Sequence, residues 1–362
     1  MRRFIECLIP TTACNLKCSY CYLIQQNRRK GEPAKFVYSP EIIGMGLSQN
    51  RLGGVSLISM TASGETFLPP ELPYIAKEIL KQGHFINITT NGTLTKQINK
   101  LLQLTEPYHS HIHISFSFHY IELKKRGLLD VFFDNIKTVK ASGCSILLQI
   151  NLVDEYLPYW EEIKSLSIKH TGALPQVALT RYETEGAYKI LSCMTKEQYE
   201  NKGNEMNSPL FKFTCDYFMV KRQEFCYAGL WSAKLDLGTG IMSSCYGHGI
   251  VQNIFENINK PILFEPIGKK CPFQYCFNSS HFISQGIIPE LRNVSSYGEL
   301  RNREEAGWYT DEMKSFLYQK FENANPLLSN YQKKIYAIKD FFRNLKHTVK
   351  QKASRLLRND RI

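Results

Sequence analysis

No run of the 362 residues approaches the ~18 consecutive apolar residues that a membrane-spanning helix needs. A secretory core is missing as well, because Cys7-Leu8-Ile9-Pro10 is a short strand-like stretch cut off by proline. These two absences exclude a helical membrane protein and a signal-directed secreted one, so a cytoplasmic protein is expected. An evenly spread positive charge is also lacking. The chain carries +12 overall, but Tyr331 to Ile362 hold ten Lys or Arg against two Asp, so +8 of that sits in one terminal segment. The remaining body is only mildly basic, which argues against nucleic acid as a partner. Hydrophobic content of 43% and charged content of 22% are ordinary for a soluble globular chain, long enough for one large domain or two smaller ones. Eleven cysteines without a secretory route point to metal chemistry rather than disulfides.

Three of those cysteines stand together in Cys14-Asn15-Leu16-Lys17-Cys18-Ser19-Tyr20-Cys21, a Cys-x3-Cys-x2-Cys spacing just after the first apolar strand. Three thiolates this close can take three corners of an iron–sulfur cube and leave the fourth iron to a ligand that is not protein. A Cys-x2-Cys pair alone would read equally as zinc or redox chemistry.

Strand-like and helix-like segments then alternate. Strands are expected at Arg3–Ile9, Val55–Thr61, Phe85–Thr90, Ile112–Phe118, Ile146–Val153 and Gln176–Thr180. Helices are expected at Pro40–Leu52, Pro70–Lys81, Leu94–Leu104, Leu129–Ala141 and Pro158–Ser167, several opened by proline and closed by Gly53, Gly83 or Gly143. The alternation implies a parallel α/β sheet, open or closed into a partial barrel. In the fourth strand His111, His113, Ser115, Ser117 and His119 share one face, and the apolar residues share the other. With helices outside, the polar set lines the lumen, together with Asn87, Thr89, Asn91, Gln149 and Asn151, which is the expectation for a ligand chamber. Satisfied polar groups in a wet cavity are the alternative. Ligands of such sheets lie at the carboxyl ends of the strands.

The cysteine motif, with an aromatic before its last cysteine, resembles the radical S-adenosylmethionine (radical SAM) superfamily. That resemblance implies a partial (βα)6 barrel, a 4Fe–4S cluster on Cys14, Cys18 and Cys21, and S-adenosylmethionine on its open iron. One-electron cleavage of the cofactor to a 5′-deoxyadenosyl radical and hydrogen abstraction from a C–H bond would follow, in an oxygen-sensitive enzyme fed by a reductant such as flavodoxin or ferredoxin. Ser63-Gly64-Glu65 resembles the Gly-Gly-Glu segment that meets the cofactor's ammonium, with Ser in the first place; glycine permits close backbone approach and a carboxylate complements an ammonium. Ser117 and Asn151 correspond to polar groups for the ribose and carboxylate, Asn91 to a supporting group, and Tyr20 to the aromatic beside the adenine. His119 and Arg181 are the candidates for substrate contact near the radical.

Beyond Tyr182 the alternation stops. Residues 1–182 are expected to form the core, and 183–213 a linker with one short helix around Lys196–Asn201. Residues 214–290 are expected to form a second cysteine-rich unit. Cys226-x13-Gly240-x4-Cys245 brackets a hairpin with a Gly-rich turn, and Cys271-x4-Cys276 follows. The pattern resembles the SPASM and twitch extensions that hold auxiliary iron–sulfur clusters. The cysteine count fits the shorter twitch type with one 4Fe–4S cluster on Cys226, Cys245, Cys271 and Cys276. Zinc on the same thiolates is the structural alternative, and Cys215 is a substitute ligand. Cys7, Cys144 and Cys193 lack partners at ligand spacing and read as small hydrophobes or idle thiols.

Residues 291–362 are expected as a helical tail, with a helix near Asp311–Phe321. From Ile335, apolar Ile338, Phe342, Leu345 and Val349 recur at helical steps opposite Lys and Arg. That basic amphipathic helix packs on the body, meets an acidic partner or lies on an anionic membrane surface. The leading reading is an enzyme performing dehydrogenation, epimerisation or cross-linking of a small molecule, sugar or peptide. Peptide-modifying relatives often carry a leader-binding domain before the barrel, and a cysteine loop beginning at residue 14 leaves no room for one, which favours a small molecule or sugar. The runner-up is maturase-type oxidation of a Ser or Cys in a protein, which Thr90-Asn91-Gly92-Thr93-Leu94 resembles. A non-catalytic iron–sulfur scaffold or electron carrier needs neither an open iron nor Glu65. An RNA-modifying role would require salt-sensitive binding through the tail.

Overall fold

A computed structural model describes residues 1–184, 188–246, 248–269 and 271–339. Runs rich in Ile, Leu and Phe form six strands: β1 Phe4–Ile9, β2 Leu57–Ala62, β3 Phe85–Thr90, β4 Ile112–Ser117, β5 Ser145–Leu152 and β6 Gln176–Leu179. They pair in parallel in chain order. Parallel neighbours need long crossovers, and helices Leu72–Leu80, Thr95–Leu104, Leu129–Ala141 and Trp160–Thr171 lie in them. This is the mixed α/β fold with a central parallel sheet that the alternation implied.

After a two-residue antiparallel pair, β7 Arg181–Tyr182 with β8 Lys189–Ile190, the chain returns to the main sheet. Strands β9 Ser232–Asp236, β10 Ile241–Cys245 and β11 His248–Asn253 extend it beyond β1. β9 is parallel to β1, with Phe4 opposite Ser232, and β10 is antiparallel to β9. The Gly-rich turn works as expected. Gly240 takes φ 75°, open to glycine without a Cβ penalty, and its N–H reaches the Asp236 carbonyl at 2.9 Å.

The outer face of the strands is apolar. Ile5, Cys7, Ile58, Met60, Ile86, Ile88, Ile114, Phe116, Ile146 and Leu148 are fully buried in one core with Ile75, Ile79, Leu101, Phe132 and Ile163 of the helices. Burying each large aliphatic side chain is worth about 1.5–3 kcal/mol. Cys7 and Cys144 are buried thiols of this core, and Cys193 is exposed.

The inner face is polar, but less of it is a chamber than the strand pattern implied. The register aligns Glu6, Ser59, Asn87 and His113 on one level. The Asn87 amide donates to Ser59 Oγ at 2.9 Å, and Ser115 Oγ donates to Asn87 Oδ1 at 2.8 Å. Ser59, Asn87 and Ser115 thus satisfy one another across the middle of the lumen. His111 lies at the outer rim of the base, stacked on Phe85 with ring centroids 4.1 Å apart and bonded to Glu312 at 2.8 Å. The upper lumen, from Thr61, Thr89, Ser117 and Asn151 upward, opens to a cavity.

The base of the barrel is built from residues 296–325, part of the stretch 291–362 expected as a helical tail. The Trp308 carbonyl accepts from Ile146 N at 2.9 Å, while its indole N–H donates to the Thr171 carbonyl at 2.9 Å. Arg303 donates to the carbonyls of Leu174, Pro175, Met206 and Asn207. Asn325 brackets the Arg2 backbone with bonds of 2.7 and 2.8 Å.

Three other local expectations shift. The helix expected over 40–52 ends at Gly46 and resumes as Gln49–Leu52; Gly46 packs so closely on Phe255 that a side chain there would clash. The helix expected from Pro158 starts at Trp160, because Pro158 belongs to a 3-10 turn over Asp154–Tyr159, and it runs on to Gly172 at φ 82°. Within 183–213 the structure has a helix Lys196–Asn204, capped by Thr195 and Gln198, and the start of a second, Pro209–Tyr217. Ser208 fixes that second helix to β6, accepting from Val177 N at 2.9 Å and donating to Gln176 Oε1 at 2.7 Å. Helix Asp311–Tyr318 matches the expected stretch near 311–321. Residues 330–339 are helical with Ile335 and Ile338 exposed, and the rest of the amphipathic pattern, including Phe342, Leu345 and Val349, lies outside the described residues. Among the described residues, no helix is long and apolar enough to cross a membrane.

Trp308 is 1% exposed and joins the base to both β5 and the helix ending at Thr171. Trp308→Ala is therefore expected to cost about 3–5 kcal/mol, read as a lowered midpoint in anaerobic urea unfolding.

Candidate active site

The cysteine loop leaves β1 at Ile9 and is held on every side by its neighbours. Gly64 N–H donates to the Thr11 carbonyl at 2.9 Å and Glu65 N–H to the Ala13 carbonyl at 2.8 Å, so the loops after β1 and β2 lie edge to edge. A Cβ at Gly64 would collide with the Ala13 carbonyl oxygen, which makes glycine a requirement of this contact. Arg29 donates to the carbonyls of Cys14 and Leu16 at 3.0 and 2.6 Å. Lys17 N–H reaches Glu122 Oε2 at 2.8 Å. Asn91 donates to Asn15 Oδ1 at 2.7 Å, and Asn15 donates to Thr93 Oγ1 at 2.8 Å, so the loop after β3 braces the cysteine loop too.

Cys14, Cys18 and Cys21 are half-buried and line one cavity of about 310 Å³ at the carboxyl ends of the strands. Tyr20, Ser63, Gly64, Glu65, Asn91, Ser117, Asn151, His119 and Arg181 line the same cavity. Every residue named from the sequence for the cofactor and substrate is thus brought to a single hollow. Burial, followed by the neighbouring thiols Cys14 and Cys21 and by Glu122, pushes the Cys18 thiol up to about 12; burial also raises Cys14. Sulfur ligates as thiolate, so this group of thiols calls for a positively charged core among them.

Glu65 is 2% exposed. Its Oε1 accepts from Thr90 Oγ1 at 2.6 Å and Phe67 N at 3.0 Å, and its Oε2 accepts from Asn91 N at 2.8 Å. Burial raises its pKa, and these three bonds oppose the rise. The carboxylate is therefore a brace between the loops after β2 and β3 as well as part of the cavity wall. Asn151 donates to Thr180 Oγ1 at 3.2 Å, which ties β5 to the end of β6.

Tyr20 and His119 share a hydrogen bond of 2.6 Å between the phenol and Nδ1, and the Tyr20 hydroxyl also meets the Tyr156 hydroxyl at 3.0 Å. Burial pulls His119 down to about 4, so its imidazole is neutral. Tyr156, Glu122 and Arg29 were not singled out from the sequence. No local motif marks them, since each acts on the loop from a distant segment.

Arg181 spans the rim. It pairs with Glu183 Oε1 at 2.6 Å and donates to the Phe277 carbonyl at 2.8 Å and the Tyr275 hydroxyl at 3.4 Å. Across it lies the second group of cysteines. Cys226 is fixed by two backbone bonds to Gly268, Cys245 ends β10, and Cys271 and Cys276 follow in one loop. All four line a hollow of about 40 Å³ walled by Phe273, Tyr275, Phe277 and Phe282. Burial first, and then the other thiols, pushes Cys276 to about 12, Cys245 to about 11 and Cys226 well above the usual range, against a backbone hydrogen bond at each that lowers it. Cys215 faces a different, open basin with Glu200 and Asp216. Beside the four thiols, the Glu6 carboxylate accepts from Tyr246 at 2.7 and 2.8 Å and from Asn278 at 2.7 Å. Among the described residues, no three His, Cys, Asp or Glu side chains are gathered as the ligands of a single metal ion would be.

Residues 8–163 match the family model described as the Radical SAM superfamily. A probable GTP 3′,8-cyclase of Methanococcus vannielii is 23% identical over 213 residues, covering 53% of this chain and 69% of that protein. Among solved structures, Streptococcus suis SuiB superposes with a TM-score of 0.51 at 16% identity, over 70% of this chain and 63% of its own. SuiB bound to S-adenosylmethionine gives 0.50 at 17%, over 70% and 64%. The chain thus spans less than two thirds of SuiB, and likeness at such identity shows the shared fold.

His119, held neutral by burial, is expected to show no change in its imidazole 15N NMR shifts between pH 8 and 5, with protonation only near pH 4. A titration centred near the ordinary 6.5 would contradict its enclosure.

Proposed function

The chain belongs to the radical SAM superfamily and is an enzyme; from that premise we propose that Cys14, Cys18 and Cys21 hold a 4Fe–4S cluster that binds and cleaves S-adenosylmethionine, and that the reaction acts on a substrate C–H bond. When bound, cluster and cofactor together supply a one-electron cleavage and a 5′-deoxyadenosyl radical that removes hydrogen. The observation that carries this reading is the single 310 Å³ cavity onto which the three thiols, the turn at residues 63–65 and the polar ends of β4 and β5 all open. Three thiolates satisfy three irons and leave the fourth for the amino and carboxylate groups of the cofactor.

The protein's own residues then bind and orient. Gly64 lets the backbone approach closely, Ser63 and Glu65 face the ammonium, and Ser117 and Asn151 face the ribose and carboxylate. The Tyr20–His119–Tyr156 bonds hold the segment beside the adenine, and Asn91 keeps the cysteine loop in register. Arg181 and His119 border the space left for substrate. The closed polar layer of Ser59, Asn87 and Ser115 forms the floor and limits water from below.

In this reading Cys226, Cys245, Cys271 and Cys276 hold one auxiliary 4Fe–4S cluster. Four thiols around a hollow with aromatic walls suit a cluster better than zinc, whose ligands close directly on one ion. Arg181 lines the first cavity and donates to Phe277 and Tyr275 of the second, so the two sites adjoin, and a cluster held at the second would take up the electron that a dehydrogenation releases. The substrate is a small molecule, sugar or peptide, and flavodoxin or ferredoxin supplies electrons. A peptide or protein substrate, as in maturase-type oxidation of Ser or Cys, is favoured by the open basin of about 400 Å³ beside Tyr20, lined by Asp154, Glu155 and Lys189.

Iron and acid-labile sulfide per chain, after anaerobic reconstitution, test the two-cluster reading. Wild type is expected to hold about eight iron atoms, and the Cys14→Ala/Cys18→Ala/Cys21→Ala variant about four. Zinc in place of four of those irons would withdraw the auxiliary cluster and leave the first one standing.

A further inference from the structure

Beneath the polar layer of the lumen lies a group of interior side chains that the radical chemistry does not use. Arg301 is 1% exposed, lies 3.8 Å over the Tyr297 ring, and donates one long bond of 3.3 Å to the Tyr297 carbonyl. Among the described residues the arginines that hold a carboxylate are Arg126, Arg181 and Arg222, and Arg301 is not one of them. The Glu6 carboxylate is nearby in the lumen, but its oxygens are taken by Tyr246 and Asn278, and its cationic neighbour is Lys234.

The groups around Arg301 are short of partners in the same sense. His113 on β4 is fully buried, with the Ile146 backbone near its ring nitrogens but no full hydrogen bond to either, and its ring meets Tyr309 edge-on with centroids 4.9 Å apart. The hydroxyls of Tyr297 and Tyr309 are buried without a partner. His281 sits against Tyr297 at 5.6 Å. Burial and then the Arg301 charge keep both imidazoles neutral, His113 down at about 3 and His281 well below its ordinary range. His281 Nδ1 also lies 3.4 Å from the Ser280 hydroxyl.

The group thus contains one permanent positive charge and several groups able to donate, guanidinium N–H, imidazole N–H and two phenolic O–H, of which the imidazoles and phenols can also accept. A buried charge without a partner carries a large desolvation penalty. The missing partner is an acceptor with negative charge. We propose that Arg301, His113, His281, Tyr297 and Tyr309 form a buried binding site for a small anion at the base of the barrel, at the opposite end from the cysteine loop. The shared chemistry is a halide or a single oxyanion group, and the source is either an inorganic ion or a small organic acid retained during folding. Three of its five members belong to residues 296–325, so the anion joins that segment to β4.

The test uses the full-length, anaerobically reconstituted protein. Crystals grown with bromide replacing chloride are expected to show an anomalous peak within hydrogen-bond reach of Arg301. Mass spectrometry of the supernatant after denaturation asks for an organic acid at one per chain. Either finding supports the site and identifies its source. In solution, bromide at a hundred times its Kd is expected to raise the folded-to-unfolded ratio about a hundredfold, and Arg301→Met to abolish the response while folding well without bromide. Should that variant not fold, Tyr309→Phe and His113→Asn are expected to weaken the response. Water alone at the base, with no released acid and equal bromide responses in wild type and variant, overturns the proposal.

Discussion

The contact between the loops after β1 and β2 governs the upper half of the molecule. Two backbone hydrogen bonds, Gly64 to Thr11 and Glu65 to Ala13, set where the cysteine loop begins, and they form only because residue 64 has no side chain. Glu65 then passes the constraint on, since its carboxylate holds Thr90 and the Asn91 backbone, and Asn91 holds Asn15 in the cysteine loop. The three loops form a closed ring of bonds around the cavity. A displacement of one would have to break bonds in the other two, which is what preorganisation of a site means physically.

The cysteines impose a second constraint through desolvation. Burial raises the cost of a thiolate at Cys18, Cys226, Cys245 and Cys276, and neighbouring thiols raise it further. Both groups are therefore arranged against carrying their negative charge alone. The same logic with opposite sign applies to Arg301, whose charge is buried among donors. In each of these places a charge can be carried inside the protein only with close pairing.

What was legible in the sequence was local. The period-two pattern of β4, the apolar runs of β1 to β3, and the spacing Cys14-x3-Cys18-x2-Cys21 are consequences of backbone geometry over a few residues, and the elements formed close to where they were expected. The residues named for the cavity met in one place because parallel strands end together. What was not legible depended on segments far apart in the chain. His113 looked like a chamber residue because its face is polar, but whether that face opens upward or is sealed depends on Tyr309 and Arg301, almost two hundred positions later. Residues 296–325 looked like part of a tail because they are polar on average, yet large apolar side chains among them, Tyr297, Trp308, Tyr309, Leu317 and Phe321, are buried. Composition averages over the residues that decide the packing.

The parallel ladder between β1 and β9 has a consequence for synthesis. β1 gains its first neighbour when residues 57–62 have emerged, but its other edge is completed only by residues 232–236. At the usual pace of translation, about 5–20 residues per second, that edge stays open for about nine to thirty-five seconds, an interval in which an unpaired strand is a template for pairing with another chain. The strand that delivers the cysteine loop thus waits on the ribosome for its second neighbour until most of the sheet has been made. A chain truncated before residue 232 would retain that open edge for good.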